Sequence, residues 1–420
     1  MKLVLTRILY TSLLYLFIPL ELARLYWRGR FAPSYHHRWL ERFAISLPVV
    51  NKGGIWIHTA SVGESLAAMP VIRHLLKMHP NETIIVTTMT PTGSERIKAE
   101  LGDAVYHVYA PYDLPDAVAR FLNHLEPKKL LIMETELWPN IIAAAYSRGI
   151  KIVLMNARMS ERSAKGYQLF RTLTQSLLNK FTVIAAQHQD DANRFIALGA
   201  EESHIEVTGN IKYDLTIKSG LVQQGSKLRK SFISELVWIA GSTHRGEDQQ
   251  IFDAHKLVRE QIPTAQLILV PRHPERFHEV GELCGKQIFT FTRRSLGEAT
   301  DQPVYLGDTM GELLLLFAVA DMAFVGGSLV EIGGHNLLEP AALAKPVMTG
   351  PYDHNFRDIN RQMLASNAAV RIENFEQLAQ QIIDWHRHPE TMQAVGEQGF
   401  TVVKNNQGAL KKLLTLIDSQ

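Results

Sequence analysis

The chain has 420 residues, which exceeds the roughly 250–300 residues that one hydrophobic core supports, so we expect two domains. Its hydrophobic content of 46% and charged content of 20% exclude a disordered or fibrous protein, and a net charge of +2 gives no reason to expect nucleic acid as a partner. The single cysteine, Cys284, excludes an internal disulfide.

The N-terminal segment has the character of a membrane anchor. Residues 8–20 form an uncharged, mostly apolar run, and an aromatic and arginine-containing stretch follows over residues 21–28. Thirteen apolar residues are fewer than the ~20 of an upright spanning helix. We therefore predict an uncleaved anchor over residues 1–28 that either dips into the bilayer or spans it at a tilt. The alternative is a buried first helix.

From residue 53 onward, short apolar strands alternate with amphipathic helices, a pattern typical of parallel sheets covered on both faces. A first series runs to residue 209, and a second begins at residue 237 after a polar stretch over residues 218–230 that we interpret as a linker. The predicted fold is thus α/β, with two Rossmann-like domains facing a cleft, over residues 29–217 and 218–420. Ligands of such sheets bind beyond the carboxyl ends of the strands.

Acidic side chains follow two strands of the first series. Glu64 comes after the turn at residues 60–63, in the first turn of a predicted helix, where a carboxylate also stabilises a helix without any catalytic role. Glu134 and Glu136 follow the buried run at residues 129–133. Two positions apart, they point to opposite faces while the strand persists, so we expect one structural and one functional acid.

Basic and hydroxyl groups follow three further strands, at Lys212, Ser242 and Arg272. Each position suits an anion, and an arginine fork matches phosphate or carboxylate geometry. Each segment alone is also compatible with an ordinary surface loop.

The most specific segment is the glycine-rich run over residues 324–340. Gly334 permits close approach of a ligand to the backbone, and a helix beginning near Asn336 would direct N–H groups at a phosphate. Glu339 is placed to accept the two hydroxyls of a ribose. The sequence contains no dinucleotide fingerprint, P-loop, Asp-x-Asp or His-Glu-x-x-His motif, so we expect neither a metal site nor a cofactor.

In chain order, the segments at residues 60–64, 134–139, 209–214, 271–276 and 333–340 closely resemble those of the bacterial 3-deoxy-D-manno-octulosonic acid (Kdo) transferases. The resemblance implies a glycosyltransferase B fold with an acceptor-binding first domain and a nucleotide-sugar-binding second domain. It also implies CMP-Kdo as donor, a tetraacylated lipid A precursor as acceptor, and a location on the cytoplasmic face of the bacterial inner membrane.

The same resemblance implies roles for individual residues. Glu64 would be the catalytic base and Glu136 a second acid near the acceptor. The residues implied to hold the CMP part of the donor are Lys212, Ser242, Arg272, Gly334, Asn336 and Glu339. The implied reaction is a single inverting displacement without a metal ion. Alternatives are a UDP-sugar transferase or 2-epimerase of the same architecture, and a non-enzymatic nucleotide-sensing membrane protein.

Overall fold

The computed structural model describes residues 2–297 and 300–420 and contains two compact units. Unit 1 comprises Met1–Asp214 together with Gln407–Gln420, and unit 2 comprises Leu215–Asn406. Each unit is built on a sheet of seven parallel strands with helices on its faces, which confirms the prediction of two Rossmann-like domains.

The sheet of unit 1 has the strand order β3-β2-β1-β4-β5-β6-β7. Its strands are β1 Ile55–His58, β2 Ile84–Thr88, β3 Tyr106–Tyr109, β4 Lys129–Met133, β5 Lys151–Ala157, β6 Val183–Ala186 and β7 Ile205–Val207. Its helices up to the end of the sheet are α1 Lys2–Gly29, α2 Val62–Met78, α3 Pro91–Leu101, α4 Pro115–Leu125, α5 Pro139–Ser147, α6 Glu161–Gln168, α7 Arg171–Leu178 and α8 Gln189–Ala197. Strands β1, β2, β4, β5 and β6 are buried on both faces because helices cover both, so they are mostly apolar without alternation, whereas the edge strands β3 and β7 are partly exposed.

The sheet of unit 2 has the order β10-β11-β9-β8-β12-β13-β14. Its strands are β8 Val237–Thr243, β9 Gln266–Pro271, β10 Phe291–Arg293, β11 Val304–Leu306, β12 Met322–Val325, β13 Val347–Thr349 and β14 Val370–Arg371. Its helices are α9 Leu221–Arg229, α10 Asp248–Gln261, α11 Phe277–Gly285, α12 Leu313–Val319, α13 Leu338–Ala341, α14 Arg357–Ala365, α15 Phe375–Arg387 and α16 Pro389–Asn405.

Two boundaries differ from the sequence prediction. The stretch over residues 218–230, interpreted as a linker, contains helix α9, which packs closely on α12 because Gly225 has no side chain. A Cβ at Gly225 would lie 2.6 Å from the Cβ of Ala318.

The last helix, α17 (Ala409–Asp418), belongs to unit 1, although the predicted second domain ran to residue 420. Leu413 and Ile417 are fully buried in the core that α2 and the sheet form. The carboxylate of Asp214 accepts hydrogen bonds from the N–H groups of Gly408 (2.6 Å) and Leu410 (2.7 Å) and so fixes the start of this helix.

Helix α1 is continuous from Lys2 to Gly29. By length and composition it is apolar enough to cross a membrane, and only 6% of its most apolar window is buried. One face of α1 nevertheless packs on the rest of unit 1. On this face Leu25 is buried, and Tyr10 donates a hydrogen bond to Asp113 (3.0 Å). The alternative of a buried first helix therefore does not describe most of α1.

Candidate active site

The topology of unit 1 explains why its acidic residues lie at one edge of the sheet. Strands β1 and β4 are neighbours, with His58 paired to Ile132, yet the chain leaves them toward opposite sides of the sheet order. The carboxyl ends of two such strands form the crevice where open α/β sheets bind ligands. Glu64 follows β1, and Glu134 and Glu136 follow β4.

Glu64 is held by the start of α2 in a capping box. The N–H of Glu64 donates to the hydroxyl of Ser61 (3.3 Å), whose hydroxyl in turn donates to the Glu64 carboxylate (2.9 Å). The N–H of Ala60 donates to the other carboxylate oxygen (2.8 Å). Burial raises the pKa of Glu64 to about 7, and the negative charges of Glu134 and Glu136 raise it further. The hydrogen bonds from Ala60 and Ser61 lower this pKa, but by less. A carboxyl that titrates near neutral pH is suited to proton transfer.

Glu134 forms an ion pair with Lys212, with 2.8 Å between its Oε1 and the ammonium. Glu134 has a left-handed backbone conformation (φ 57°), and its N–H donates to the carbonyl of Met155. Lys212 was predicted, together with Ser242 and Arg272, as a position that suits an anion, and in the structure it lies in unit 1, where its anionic partner is a carboxylate of the protein itself. Its carboxylate partner Glu134 is a residue to which the sequence analysis assigned no site role.

Glu136 accepts a hydrogen bond from the indole N–H of Trp138 (2.8 Å). Burial raises its pKa, and the charge of Glu134 adds to this effect. The ring of Trp138 meets that of His58 edge to face, with 6.4 Å between centroids. Burial lowers the pKa of His58 to about 4, so this imidazole is neutral at pH 7. The side chains that hold Glu136, Trp138 and behind it His58, are thus both uncharged at pH 7.

In unit 2 the corresponding crevice lies between β8 and β12, which are also neighbours in the sheet. Ser242 stands near the end of β8 in a left-handed conformation (φ 61°), at an irregularity in the pairing with β9. Such conformations are costly for a non-glycine residue and concentrate at functional sites. A Cβ at Gly326 would lie 2.8 Å from the carbonyl of Ser242, so only glycine fits at the end of β12.

Glu247, which no sequence pattern indicated, is a buried carboxylate that organises this crevice. It accepts hydrogen bonds from the N–H groups of His244, Gly327, Ser328 and Leu329, at 2.7–3.1 Å. Its side chain is fully buried, and burial raises its pKa against these four bonds. Nothing in the local pattern distinguished it from an ordinary residue at a helix start.

Arg272 interacts electrostatically with three histidines of unit 2, His244, His273 and His335. The Nε2 atoms of His244 and His335 lie 2.8 Å apart, and the ring of His273 meets that of His244 edge to face. Burial lowers the pKa of His244 to about 4 and that of His335 to about 3, and the charge of Arg272 contributes to both shifts. The positive charge here at neutral pH therefore resides on arginine rather than on the histidine pair.

The glycine-rich loop differs from its predicted form in one respect. The helix expected to begin near Asn336 is the single turn α13, and the side chain of Asn336 accepts from the N–H of Leu338 (3.1 Å). The helix that follows the loop is therefore shorter than the sequence predicted. Gly334 adopts φ 72° and donates its N–H to the carbonyl of Gly327 (2.7 Å). Burial raises the pKa of Glu339, and the charge of Arg272 opposes this shift.

The structure thus divides the predicted site residues into two sets. Unit 1 contains Glu64, Glu136 and Lys212, and unit 2 contains Ser242, Arg272, Gly334, Asn336 and Glu339. Across the described residues, 2–297 and 300–420, no three His, Cys, Asp or Glu side chains are grouped as metal ligands.

Comparisons with known proteins agree with this architecture. A family model described as 3-deoxy-D-manno-octulosonic-acid transferase matches residues 37–215. A 3-deoxy-D-manno-octulosonic acid transferase from Haemophilus influenzae is 41% identical over 98% of both chains. A probable mitochondrial enzyme of the same name from Arabidopsis thaliana is 37% identical over 86% of this chain and 83% of its own.

Among solved structures, the UDP-GlcNAc 2-epimerase from Neisseria meningitidis covers 87% of this chain and 100% of its own, with a TM-score of 0.55 and 13% identity. A putative UDP-N-acetylglucosamine 2-epimerase from Listeria monocytogenes covers 88% and 96%, with a TM-score of 0.53 and 14% identity. These structures show the fold alone, which is of the glycosyltransferase B type. Because the sequence similarity to the Haemophilus enzyme spans both units, this chain belongs to the family of 3-deoxy-D-manno-octulosonic acid transferases.

Proposed function

We propose that this protein transfers Kdo from CMP-Kdo to a tetraacylated lipid A precursor by a metal-independent, inverting displacement at the cytoplasmic face of the bacterial inner membrane. Family membership establishes a glycosyltransferase of Kdo in lipopolysaccharide biosynthesis. The identity of donor and acceptor, the absence of a metal and the location are the parts that we propose. The observation that carries the proposal is Glu64, a carboxyl with a pKa near 7 at the switch point of unit 1.

In the proposed reaction a hydroxyl of the acceptor attacks C2 of Kdo while Glu64 takes the hydroxyl proton. The C2–O bond to CMP breaks, and the sugar ring develops oxocarbenium character as it does so. Glu64 serves as a base because its carboxylate keeps oxygen lone pairs beyond the two hydrogen bonds that it accepts. Glu136 would then orient the acceptor through its second oxygen, since Trp138 engages only one.

The electrons of the breaking bond leave with CMP, as a phosphate monoester that carries about two negative charges near neutral pH. Arg272 supplies a fixed positive charge for this phosphate, because the neighbouring histidines are neutral at pH 7. Ser242, Gly334 and Asn336 would contact the nucleotide from the same crevice. No pyrophosphate is present for a divalent ion to bridge, which favours the metal-independent route.

The membrane location is supported by α1. Its exposed leucines and the aromatic pair Tyr26 and Trp27, which are 62% and 61% exposed, are typical of a helix at a lipid–water interface. The arginines nearby are partly occupied, since Arg24 pairs with Glu21 and Arg38 pairs with Glu41. These two arginines therefore attract lipid phosphates less strongly than unpaired arginines would.

The decisive experiment is incubation of the purified protein with CMP-Kdo and the lipid A precursor, with products read by mass spectrometry. We expect the acceptor to gain the mass of Kdo, with the same rate in the presence of EDTA. Loss of turnover in EDTA that Mg²⁺ or Mn²⁺ restores would refute the metal-independent route. Thermal stabilisation by UDP but not by CMP would instead support the UDP-sugar alternative.

A further inference from the structure

The face of α1 that packs on the rest of unit 1 lines an open cavity of about 480 Å³. The polar part of its wall contains Arg7, Lys180 and Asn140, and the apolar part contains Ile8, Leu173 and Leu177. None of these residues belongs to the predicted site. The cavity therefore needs an explanation of its own.

The cavity holds two positive charges close together. The Nε of Arg7 donates to the side-chain oxygen of Asn140 (3.0 Å), and the ammonium of Lys180 donates to the hydroxyl of Ser176 (2.9 Å). Within the described part of the chain, neither cation forms an ion pair with a carboxylate. Burial lowers the pKa of Lys180, and the charge of Arg7 lowers it further. Two like charges that repel each other in a cavity are complementary to an anion with more than one charge, such as a phosphate.

Asp113, whose charge interacts with that of Arg7, already has other partners. Asp113 is buried and accepts from the hydroxyl of Tyr10 (3.0 Å) and from the N–H groups of Asn140 (2.9 Å) and Ile141 (2.7 Å). Its carboxylate is thus held mainly by hydrogen bonds from α5 and α1, and the charge of Arg7 lowers its pKa by less than these bonds do. Asp116 accepts a hydrogen bond from Tyr15 of the cavity wall (2.5 Å) and pairs with Arg120.

The cavity also adjoins the lipid-facing side of α1. The exposed leucines recur at intervals of three or four residues and form one stripe along the helix: Leu5, Leu9, Leu13, Leu16 and Leu20. The side chains that bind unit 1, Arg7, Tyr10 and Thr11, lie on the opposite side. Ile8 is 56% exposed and lines the cavity, so apolar surface continues from the stripe into the cavity. This continuity fits a lipid with a charged headgroup and an acyl chain.

The cavity lies near the acidic residues of the candidate site. Asn140 follows Glu136 by four residues, a separation that the backbone spans in at most roughly 14 Å. Tyr167 connects the two regions, because it interacts electrostatically with both Tyr10 and Glu136. A phosphate in the cavity and a hydroxyl at Glu136 can therefore belong to one disaccharide-sized headgroup.

We propose that this cavity binds a phosphate group of the acceptor lipid through Arg7 and Lys180, with an acyl chain leaving past Ile8 toward the bilayer. The proposal rests on the proposed function, because it takes the acceptor to be a phosphorylated lipid. It adds a phosphate subsite between α1, α5 and α7, and it assigns to α1 a part in substrate recognition besides membrane attachment.

The test compares acceptors and variants. Wild-type protein is assayed with the diphosphorylated lipid A precursor and with its monophosphorylated and dephosphorylated analogues. The variants are Arg7→Gln, Lys180→Met and the double variant, with Arg162→Gln and Lys151→Met as controls at exposed positions of unit 1. Melting temperatures verify that each variant is folded. Binding is measured separately, as thermal stabilisation by the same lipids in detergent without donor.

We expect the double variant to raise KM for the phosphorylated acceptor by about tenfold or more, since charge-assisted hydrogen bonds are lost. Its kcat should stay close to that of wild type. The double variant should no longer prefer the phosphorylated acceptor over its monophosphorylated or dephosphorylated analogues. A double variant that retains both wild-type KM and the preference for phosphorylated acceptor would overturn the proposal. If wild-type protein transfers no Kdo to any acceptor, the proposed function fails. In that case the binding measurements still test whether the cavity binds lipid phosphate. If the phosphorylated lipid stabilises the double variant as much as wild type, the phosphate subsite is refuted.

Discussion

Replacing Glu64 by glutamine separates a catalytic base from a residue that only caps a helix. Glutamine retains the size of the side chain and an oxygen that can accept from the N–H of Ala60, so the start of α2 should persist. It cannot take a proton at neutral pH. We expect turnover to fall by about 10²–10⁴-fold, the usual contribution of general-base catalysis, while CMP affinity stays unchanged.

The raised pKa of Glu64 adds a signature in stability. Its pKa is about 7 in the folded protein against an ordinary value of 4.5, so the folded state binds this proton more tightly than the unfolded state does. Wild-type protein should lose stability as the pH rises from about 4.5 to about 7, by on the order of 2–3 kcal/mol from this group. Glu64→Gln lacks this loss. Its melting temperature relative to wild type should therefore increase with pH over that window.

The assay measures Kdo transfer and thermal unfolding of both proteins at pH 5, 6, 7 and 8. Wild-type kcat/KM should rise through a pKa near 7, because the base must be deprotonated. A helix-capping role alone predicts a stability loss of about 0.3–1 kcal/mol and normal turnover. Near wild-type turnover in Glu64→Gln would refute the reasoning, and Glu136 would become the leading candidate for the base.

Three further changes test other parts of the molecule. Arg272→Ala should weaken CMP binding by about 1.5–3 kcal/mol in calorimetry, and unchanged affinity would remove Arg272 from the donor site. Glu247→Ala should lower the melting temperature and abolish CMP binding, because the N–H groups of Gly327, Ser328 and Leu329 lose their acceptor. Retained CMP binding would show that the loop keeps its conformation without Glu247. Deleting residues 1–28 should release the protein from membranes in a flotation assay with both units folded, whereas persistent attachment would place the anchor elsewhere.

The sequence pattern was sufficient for the two parallel sheets, because strands covered on both faces are continuously apolar and stand out between amphipathic helices. It also predicted that Glu64, Glu136, Ser242 and Arg272 lie at or just beyond the carboxyl ends of such strands, and the structure has them there. It could not assign α17 to unit 1. The apolar side of this helix could pack on the core of either unit. Only the structure shows that Leu413 and Ile417 pack in the core beside α2.

Interactions between distant residues were likewise hidden. The pairing of Lys212 with Glu134 joins positions 78 residues apart, and neither residue carries a local signal for the other. The segment that forms helix α9 has few apolar residues and so resembles a linker. The helix packs closely on α12 because Gly225 has no side chain at the contact. In both cases the decisive quantity is a contact across the fold, which periodicity does not contain.

Glu247 and Glu64 show why position alone does not identify a catalytic acid. Both follow a strand, both stand at the start of a helix, and both accept backbone N–H groups at the switch point of their sheet. A carboxylate offers about four lone-pair positions. Four N–H groups use those of Glu247, which is fully buried and has no capacity left for a substrate.

Glu64 accepts only two hydrogen bonds, remains partly exposed, and lies near two further carboxylates that raise its pKa. It therefore retains both the free lone pairs and the proton affinity that a base requires. The same local motif thus serves as a structural clamp in one unit and as the candidate base in the other, and the number of hydrogen bonds already accepted distinguishes the two. This criterion favours Glu64 over Glu134 as well, because the ammonium of Lys212 already engages Glu134.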